Sequence, residues 1–252
     1  MILHDILGRE HDFVAPPRRV VSLVPSLTET LFDIGAGDAV AGITDFCIFP
    51  PGLDRPRLGG TKNPRVEAIR DLAPDLVYVN LEENLPRHAE QIAEFAPVFA
   101  TEPKTVSDVR VLIETLGRIH ERDVTTWGDR LKPVLQGAGA SFTFLCPIWK
   151  KPWMWCGGDT YVSSLIESVG GVNAMRHHKR YPAIDLECAL ALEPQVVFLP
   201  DEPYVFTAED ATLFENAIGP FPGHLVTWHG TRTVRGLEFL RSCVASLPSP
   251  PS

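Results

Sequence analysis

The chain has 252 residues, a hydrophobic content of 44% and a formal net charge of −9, which suits one large domain or two lobes and offers no basic face for nucleic acid. Its cysteines, Cys47, Cys146, Cys156, Cys188 and Cys243, form no CxxC pair, so no zinc or dithiol motif is legible and they read as small core residues or free thiols. No apolar run reaches the length of about 18 residues that a membrane span needs, and residues 1–13 lack the basic stretch and apolar stretch of a signal peptide, so the chain as given reads as cytoplasmic, or as periplasmic or cell-surface if a leader has been removed.

Residues 20–24 read as a buried strand ended by Pro25. Ser26 or Thr28 is placed to cap a helix that runs through Leu31, Phe32 and Ile34 and stops at Gly35 and Gly37. A strand over 39–44 precedes an aromatic loop with Phe46 and Phe49. A short helix over 66–72, a strand over 76–79, a helix over 86–95 and a strand over 98–100 follow. This alternation predicts a parallel sheet with flanking helices.

From 106 to 135, Val109, Leu112, Ile113, Leu116, Ile119, Val124, Trp127 and Leu131 recur near helical period. One rod of roughly 40 Å fits this pattern, as do two helices broken near 123–126. After Gly137 and Gly139 the alternation restarts. A strand over 141–148, a helix over 160–171, a short helix and strand over 186–200, a helix over 208–217, a strand over 224–227 and a final helix over 234–244 are expected. The expected divisions are an N-terminal α/β lobe over 1–103, a connecting backbone helix over 104–137, a C-terminal α/β lobe over 138–246 and a disordered tail over 247–252.

Two segments carry the same plan. VEAIRDLAPDLVYVN begins at Val66 and LECALALEPQVVFLP at Leu186, and they stay in step without a gap. Each has a glutamate (Glu67, Glu187) early in a helical pattern, then a helix-breaking proline (Pro74, Pro194), then a buried-strand run. Leu31, Phe32, Asp33 and Gly37 are echoed in the same way by Leu165, Ile166, Glu167 and Gly171. The repetition argues for two lobes built alike.

Aromatic residues gather at loop positions after the expected strands: Phe46 and Phe49; Trp149, Trp153 and Trp155; Tyr181; and Trp228. Ligands of open α/β sheets bind beyond the carboxyl ends of strands, and aromatic side chains there give large contact area at low entropy cost. A wide, flat ligand is the natural guest. His177 and His178 offer either a metal ligand or a solvated polar loop. Neither HExxH, G-x-S-x-G nor the phosphate loop GxxxxGK[ST] occurs, and no nucleophile–base pair or intrinsic cofactor motif is legible, so the reading is non-enzymatic. Glu67 and Glu187 read either as carboxylates settled at helix N-termini or as a matched pair that a partner with arginine-bearing pockets grips at once.

RRVVSLVPSLTETLFDIGAGDAVAGITDFCIFPP, GGTKNPRVEAIRDLAPDLVYVN, GGDTYVSSLIESVGGVNA and RYPAIDLECALALEPQVVFL together resemble the helical-backbone (class III) substrate-binding proteins of ABC importers. The cobalamin-binding members are the nearest in look, with ferric-siderophore and haem binders as cousins. The resemblance implies two similar α/β lobes with mostly parallel sheets, joined by one long helix, with the ligand between them. It implies a monomer that carries cobalamin or another metal chelate, with no intrinsic cofactor, and docks on an ABC permease through Glu67 and Glu187. Phe49 falls where a cobalamin binder has a tyrosine, Tyr181 where it has a tryptophan, and Trp155 or Trp153 near a cleft phenylalanine. Trp228 and Arg232 lie in a loop facing that cleft, where Arg232 or Lys62 would meet the ligand's polar periphery. Two cleft tryptophans are replaced, by the region of Thr61 and Lys62 and by Asn80. The alternatives are a haem or ferric-siderophore binder of the same fold, and a cytoplasmic cofactor-binding or sensing protein outside transport.

Overall fold

Two runs of five consecutive buried residues, LVYVN and VVFLP, form the inner strands of two parallel sheets. Burial on both faces is what an apolar run without alternation requires. The computed structural model describes residues 1–135 and 142–247. The chain divides into two compact units, Met1–Pro103 with Arg110–Gly128, and Lys104–Val109 with Asp129–Ser252.

The first unit opens with an antiparallel hairpin, β1 (Ile2–His4) and β2 (Glu10–Asp12), which the hydropathy pattern does not reveal. Then follow β3 (Val20–Ser22), α1 (Pro25–Asp33), β4 (Val40–Ile43), α2 (Val66–Asp71), β5 (Leu76–Asn80), α3 (Pro86–Ala93) and β6 (Val98–Thr101). The sheet order is β4-β3-β5-β6, with every pair parallel. Val21, Val77, Val79 and Val98 pack with Ile69 of α2 and Ile92 of α3. Each such side chain removed from water contributes roughly 1.5–3 kcal/mol. α1 starts at Pro25 with no side-chain cap, not at Ser26 or Thr28. Proline suits that first position, because its missing N–H would have had no partner in the helix.

Of the two readings of the connecting segment, one helix over 104–137 or two, the structure has two: α4 (Val106–Ile119) and α5 (Thr125–Leu135). The break is local chemistry. Glu121 takes a left-handed φ of 52°, and Asp123 Oδ1 accepts the Thr125 N–H at 2.9 Å, a side-chain bond that starts a helix. His120 is buried in the turn, with Nε2 3.0 Å from the Tyr78 hydroxyl.

The second unit contains β7 (Phe142–Leu145), the antiparallel hairpin β8 (Pro147–Trp149) and β9 (Met154–Trp155), α6 (Tyr161–Glu167), β10 (Gly171–Asn173), α7 (Leu186–Leu190), β11 (Val196–Pro200), α8 (Ala208–Ala211), β12 (Ala217–Phe221), α9 (His224–Thr227) and α10 (Arg232–Ala245). Its sheet order, β10-β7-β11-β12, reproduces the first sheet strand for strand. The helix expected over 208–217 stops early, and the last strand is β12; residues 224–227, expected as that strand, form α9. β12 tolerates Pro220 because it is the edge strand, where the ladder shifts register beside Gly219 at a φ of 134°. Gly137, Gly139, the first residue of the strand expected over 141–148, and residues 248–252 of the expected tail lie outside the described residues.

The repeat extends to single hydrogen bonds. Ala73 and Glu193, at matched positions, adopt left-handed φ values of 44° and 51°, with N–H groups bonded back to Arg70 O at 2.8 Å and Leu190 O at 2.9 Å. A proline then forbids further helix in both places. Asp75 accepts the N–H groups of Arg18 and Arg19, and the matched Gln195 accepts that of Thr143.

Candidate functional site

In each unit the candidate residues sit on segments that leave the carboxyl ends of parallel strands. In the first, the loop after β4 is built over Cys47. The Cys47 Sγ lies 3.1 Å from Thr28 Oγ1 and 3.2 Å from Thr44 Oγ1, and burial pushes its thiol up. Arg57 donates to Thr44 O at 3.0 Å and Cys47 O at 2.8 Å, closing the loop from outside. On this base Phe46 projects into solvent at 59% exposure. A Cβ on Gly60 would come within 3.2 Å of the Phe46 ring, so the glycine makes room for it. Phe49 is half-buried.

Asn84 ties three chain ends together beside this loop. Its amide donates to Leu23 O after β3 and Thr61 O at 3.1 and 3.0 Å, and its oxygen accepts the Asn80 N–H at 2.8 Å. Asn80 in turn accepts from Glu82 N–H at 2.8 Å, and the Lys62 ammonium donates to Glu82 O. Thr61, Lys62 and Asn80 are therefore part of a hydrogen-bonded loop frame.

In the second unit the three tryptophans of the β8–β9 hairpin separate. Trp155 is fully buried, and its indole donates to Ile184 O at 2.8 Å. Trp153 lies nearly parallel to Trp155 and Phe206, with ring centroids at 5.5 and 5.9 Å. Trp155 belongs to the buried core of the unit and is withdrawn from solvent, whereas Trp153, half-buried, packs against that core. Trp149 is 42% exposed and meets Tyr204 edge to face at 5.4 Å. Tyr204 and Phe206, in the segment after β11, are aromatic residues that the sequence reading passed over, although the same rule of aromatics following strands points to them. Lys150, ion-paired with Asp210, anchors the hairpin tip.

Tyr181 closes the loop after β10, half-buried, with the Arg180 guanidinium 5.8 Å from its ring centre. His177 and His178 are exposed in that loop, and among the described residues no group of three or more His, Cys, Asp or Glu side chains could hold a metal ion. After β12, Trp228 is half-buried, and the guanidinium of Arg232, itself 2% exposed, lies 5.7 Å from its ring centre and 3.2 Å from His224 Nδ1. Burial pushes the Glu202 carboxyl up, and the Arg232 charge pulls it partly back. Burial and Arg232 both push His224 down. Arg232, Glu202, His224 and Trp228 thus form one largely buried polar cluster, of which Trp228 and Arg232 are legible in the sequence.

Glu67 and Glu187 are each the second residue of their short helices, α2 and α7, and both are exposed. Glu67 makes a surface contact to Arg70 Nε at 3.3 Å, an interaction of about 0–1 kcal/mol. Asp185 caps α7 by accepting the Cys188 N–H at 2.8 Å, which fixes the turn that carries Glu187.

The sequence profile described as periplasmic binding protein matches residues 20–212. The chain belongs to the periplasmic binding protein family. Among curated family relatives, a vitamin B12-binding protein of Vibrio cholerae serotype O1 is 23% identical over 194 residues, spanning 73% of this chain and 70% of that protein. Among solved structures, the periplasmic vitamin B12 binding protein of Vibrio cholerae superposes with a TM-score of 0.75 at 19% identity, covering 91% of this chain and 97% of that one. A periplasmic haem-binding protein from Pseudomonas aeruginosa gives a TM-score of 0.71 at 19% identity, covering 94% and 96%. At these identities the structural likeness establishes the shared fold. Among the described residues no helix is long and apolar enough to cross a membrane.

Proposed function

We propose that this periplasmic binding protein is the substrate-binding component of an ABC-type importer and captures a bulky, partly planar metal chelate, with cobalamin or a related corrinoid first. The observation that carries this is the placement of exposed and half-buried aromatics beyond the carboxyl ends of strands in both sheets. Phe46 and Phe49 offer apolar faces from the first unit, and Trp149, Tyr181 and Trp228 from the second. Aromatic anchors of this kind dominate binding energy when a ligand covers them. The relatives named for vitamin B12 favour a corrinoid; the haem-binding relative, nearly as similar in fold, makes haem the second ligand to test. A spectral titration with cobalamin, haem and a ferric siderophore tests the reading. Saturable change with cobalamin is the expected result; saturation by haem or the siderophore alone would reassign the ligand, and no saturation by any of the three would overturn the proposal.

The docking role belongs to Glu67 and Glu187. Charge reversal at both positions should abolish permease-dependent uptake and leave the ligand titration unchanged. Loss of binding in a variant that keeps its melting temperature would remove these residues from a docking role.

A further inference from the structure

We propose that Cys146 and Cys156 form a disulfide site that closes the base of the β8–β9 hairpin. Pro147 pairs with Trp155 in the hairpin ladder, so the next rung outward sets Cys146 opposite Cys156. The Cys156 N–H donates to Cys146 O at 2.9 Å, which confirms that rung. Antiparallel partners have Cα atoms about 4.5–5.5 Å apart, inside the separation of about 4.4–6.8 Å that a disulfide spans. Both side chains are buried at 1% exposure. Contact with the Cys156 thiol and burial together push the Cys146 thiol well up, as expected for two sulfurs that face one another.

The other cysteines stand apart from this pair in chemistry and place. Cys47 is held by Thr28 and Thr44 in the first unit, Cys188 is exposed on α7 and Cys243 lies on α10. The backbone around Cys156 is already fixed, since its carbonyl accepts the Asn173 amide at 2.9 Å and the following Gly157 N–H donates to Arg180 O at 2.8 Å. The link therefore asks for little new order outside the hairpin itself. What it pins is the segment carrying Trp149, Lys150 and Trp153.

The oxidant is a small-molecule disulfide or a disulfide-bearing oxidase. One cysteine thiolate attacks the oxidant's S–S bond, forming a mixed disulfide and expelling one reduced thiol. The second thiolate attacks the cysteine sulfur of that mixed disulfide and expels the other. Two thiol protons and two electrons leave the pair, and the oxidant is reduced to two thiols. Since both sulfurs are buried, exchange runs while the chain folds or when the hairpin opens.

Refolding the whole chain in oxidised glutathione and in dithiothreitol, then counting thiols in denaturant and mapping peptides by mass, tests the site without any substitution. The expected result is a loss of two of the five thiols and a cross-linked peptide joining Cys146 to Cys156. A C188S/C243S variant should keep the link and melt at a higher temperature when oxidised, and adding Cys146→Ser should remove that difference. Unchanged thiol count in oxidised glutathione, or a link made through Cys47, Cys188 or Cys243 instead, would overturn the proposal.

Discussion

Trp155 and Trp149 lie on one hairpin and do opposite work. Trp155 fills the interior of the second unit, with its one donor satisfied by Ile184 O at 2.8 Å. Trp155→Ala leaves both a cavity and an unpaired carbonyl, and should cost about 3–5 kcal/mol in urea unfolding. Trp149 keeps 42% of its surface in solvent and touches Tyr204 by an edge. Trp149→Ala should leave the unfolding midpoint within error and weaken chelate binding by about tenfold or more, the usual scale for a buried aromatic anchor. The opposite pattern, a stable fold for the first variant and unchanged affinity for the second, would exchange their roles. Both residues follow a strand in the sequence and look alike there. What separates them is the core that Trp155 shares with Phe206 and its bond to Ile184 O, both of which reach the hairpin only through the fold.

At the scale of elements, the break between α4 and α5 is the point where hydropathy misleads. Ile119, Val124, Trp127 and Leu131 stay near helical period across the break, and the turn between them buries His120. The signal that does mark the break is short-range: Asp123 placed two residues before Thr125, and a left-handed Glu121. Glu121→Gly tells a broken segment from a continuous one by sign. At a φ of 52° glycine relieves a strain of about 1–2 kcal/mol that an L-residue bears, so the variant should unfold at equal or higher denaturant concentration. In an unbroken helix the same change would lower stability by about 1 kcal/mol. The repeated strands were legible because runs such as LVYVN and VVFLP leave no polar face to expose. β12 was not, because Gly219 and Pro220 interrupt a strand that only its edge position permits. For the candidate site the loops could be read, but not the frame beneath them: Asn84 holds the Leu23 carbonyl 61 residues back, and Arg57 and His224 meet Cys47 and Arg232 across turns whose geometry no sequence pattern marks.

Over the whole molecule, acid acts on both units through the same residue type. His120 in the first unit and His229 in the second are buried and held down to about 4 by desolvation. Unfolded, each returns to the ordinary histidine value near 6.5. Between about pH 6.5 and 4 the unfolded chain therefore binds protons that the folded chain refuses, and stability is lost as the pH falls through that window. A depression of roughly 2.5 pK units corresponds to about 3 kcal/mol at most for each histidine. Two carboxyls act in the other direction: burial raises Glu167 and Glu202, so the folded chain takes up their protons first and part of the loss is offset above pH 4.5. Asp5 and Asp210, lowered by Arg9 and Lys150 among their partners, withdraw their contributions only below about pH 4. The histidine share can be isolated by comparing unfolding free energies of the native chain and His120→Gln from pH 7.5 to 5. The gap between them should shift in the variant's favour by about 2 kcal/mol by pH 5, since glutamine takes up no proton there. A gap that stays constant with pH would mean that His120 is protonated in the folded chain and that its burial against Tyr78 does not keep it neutral.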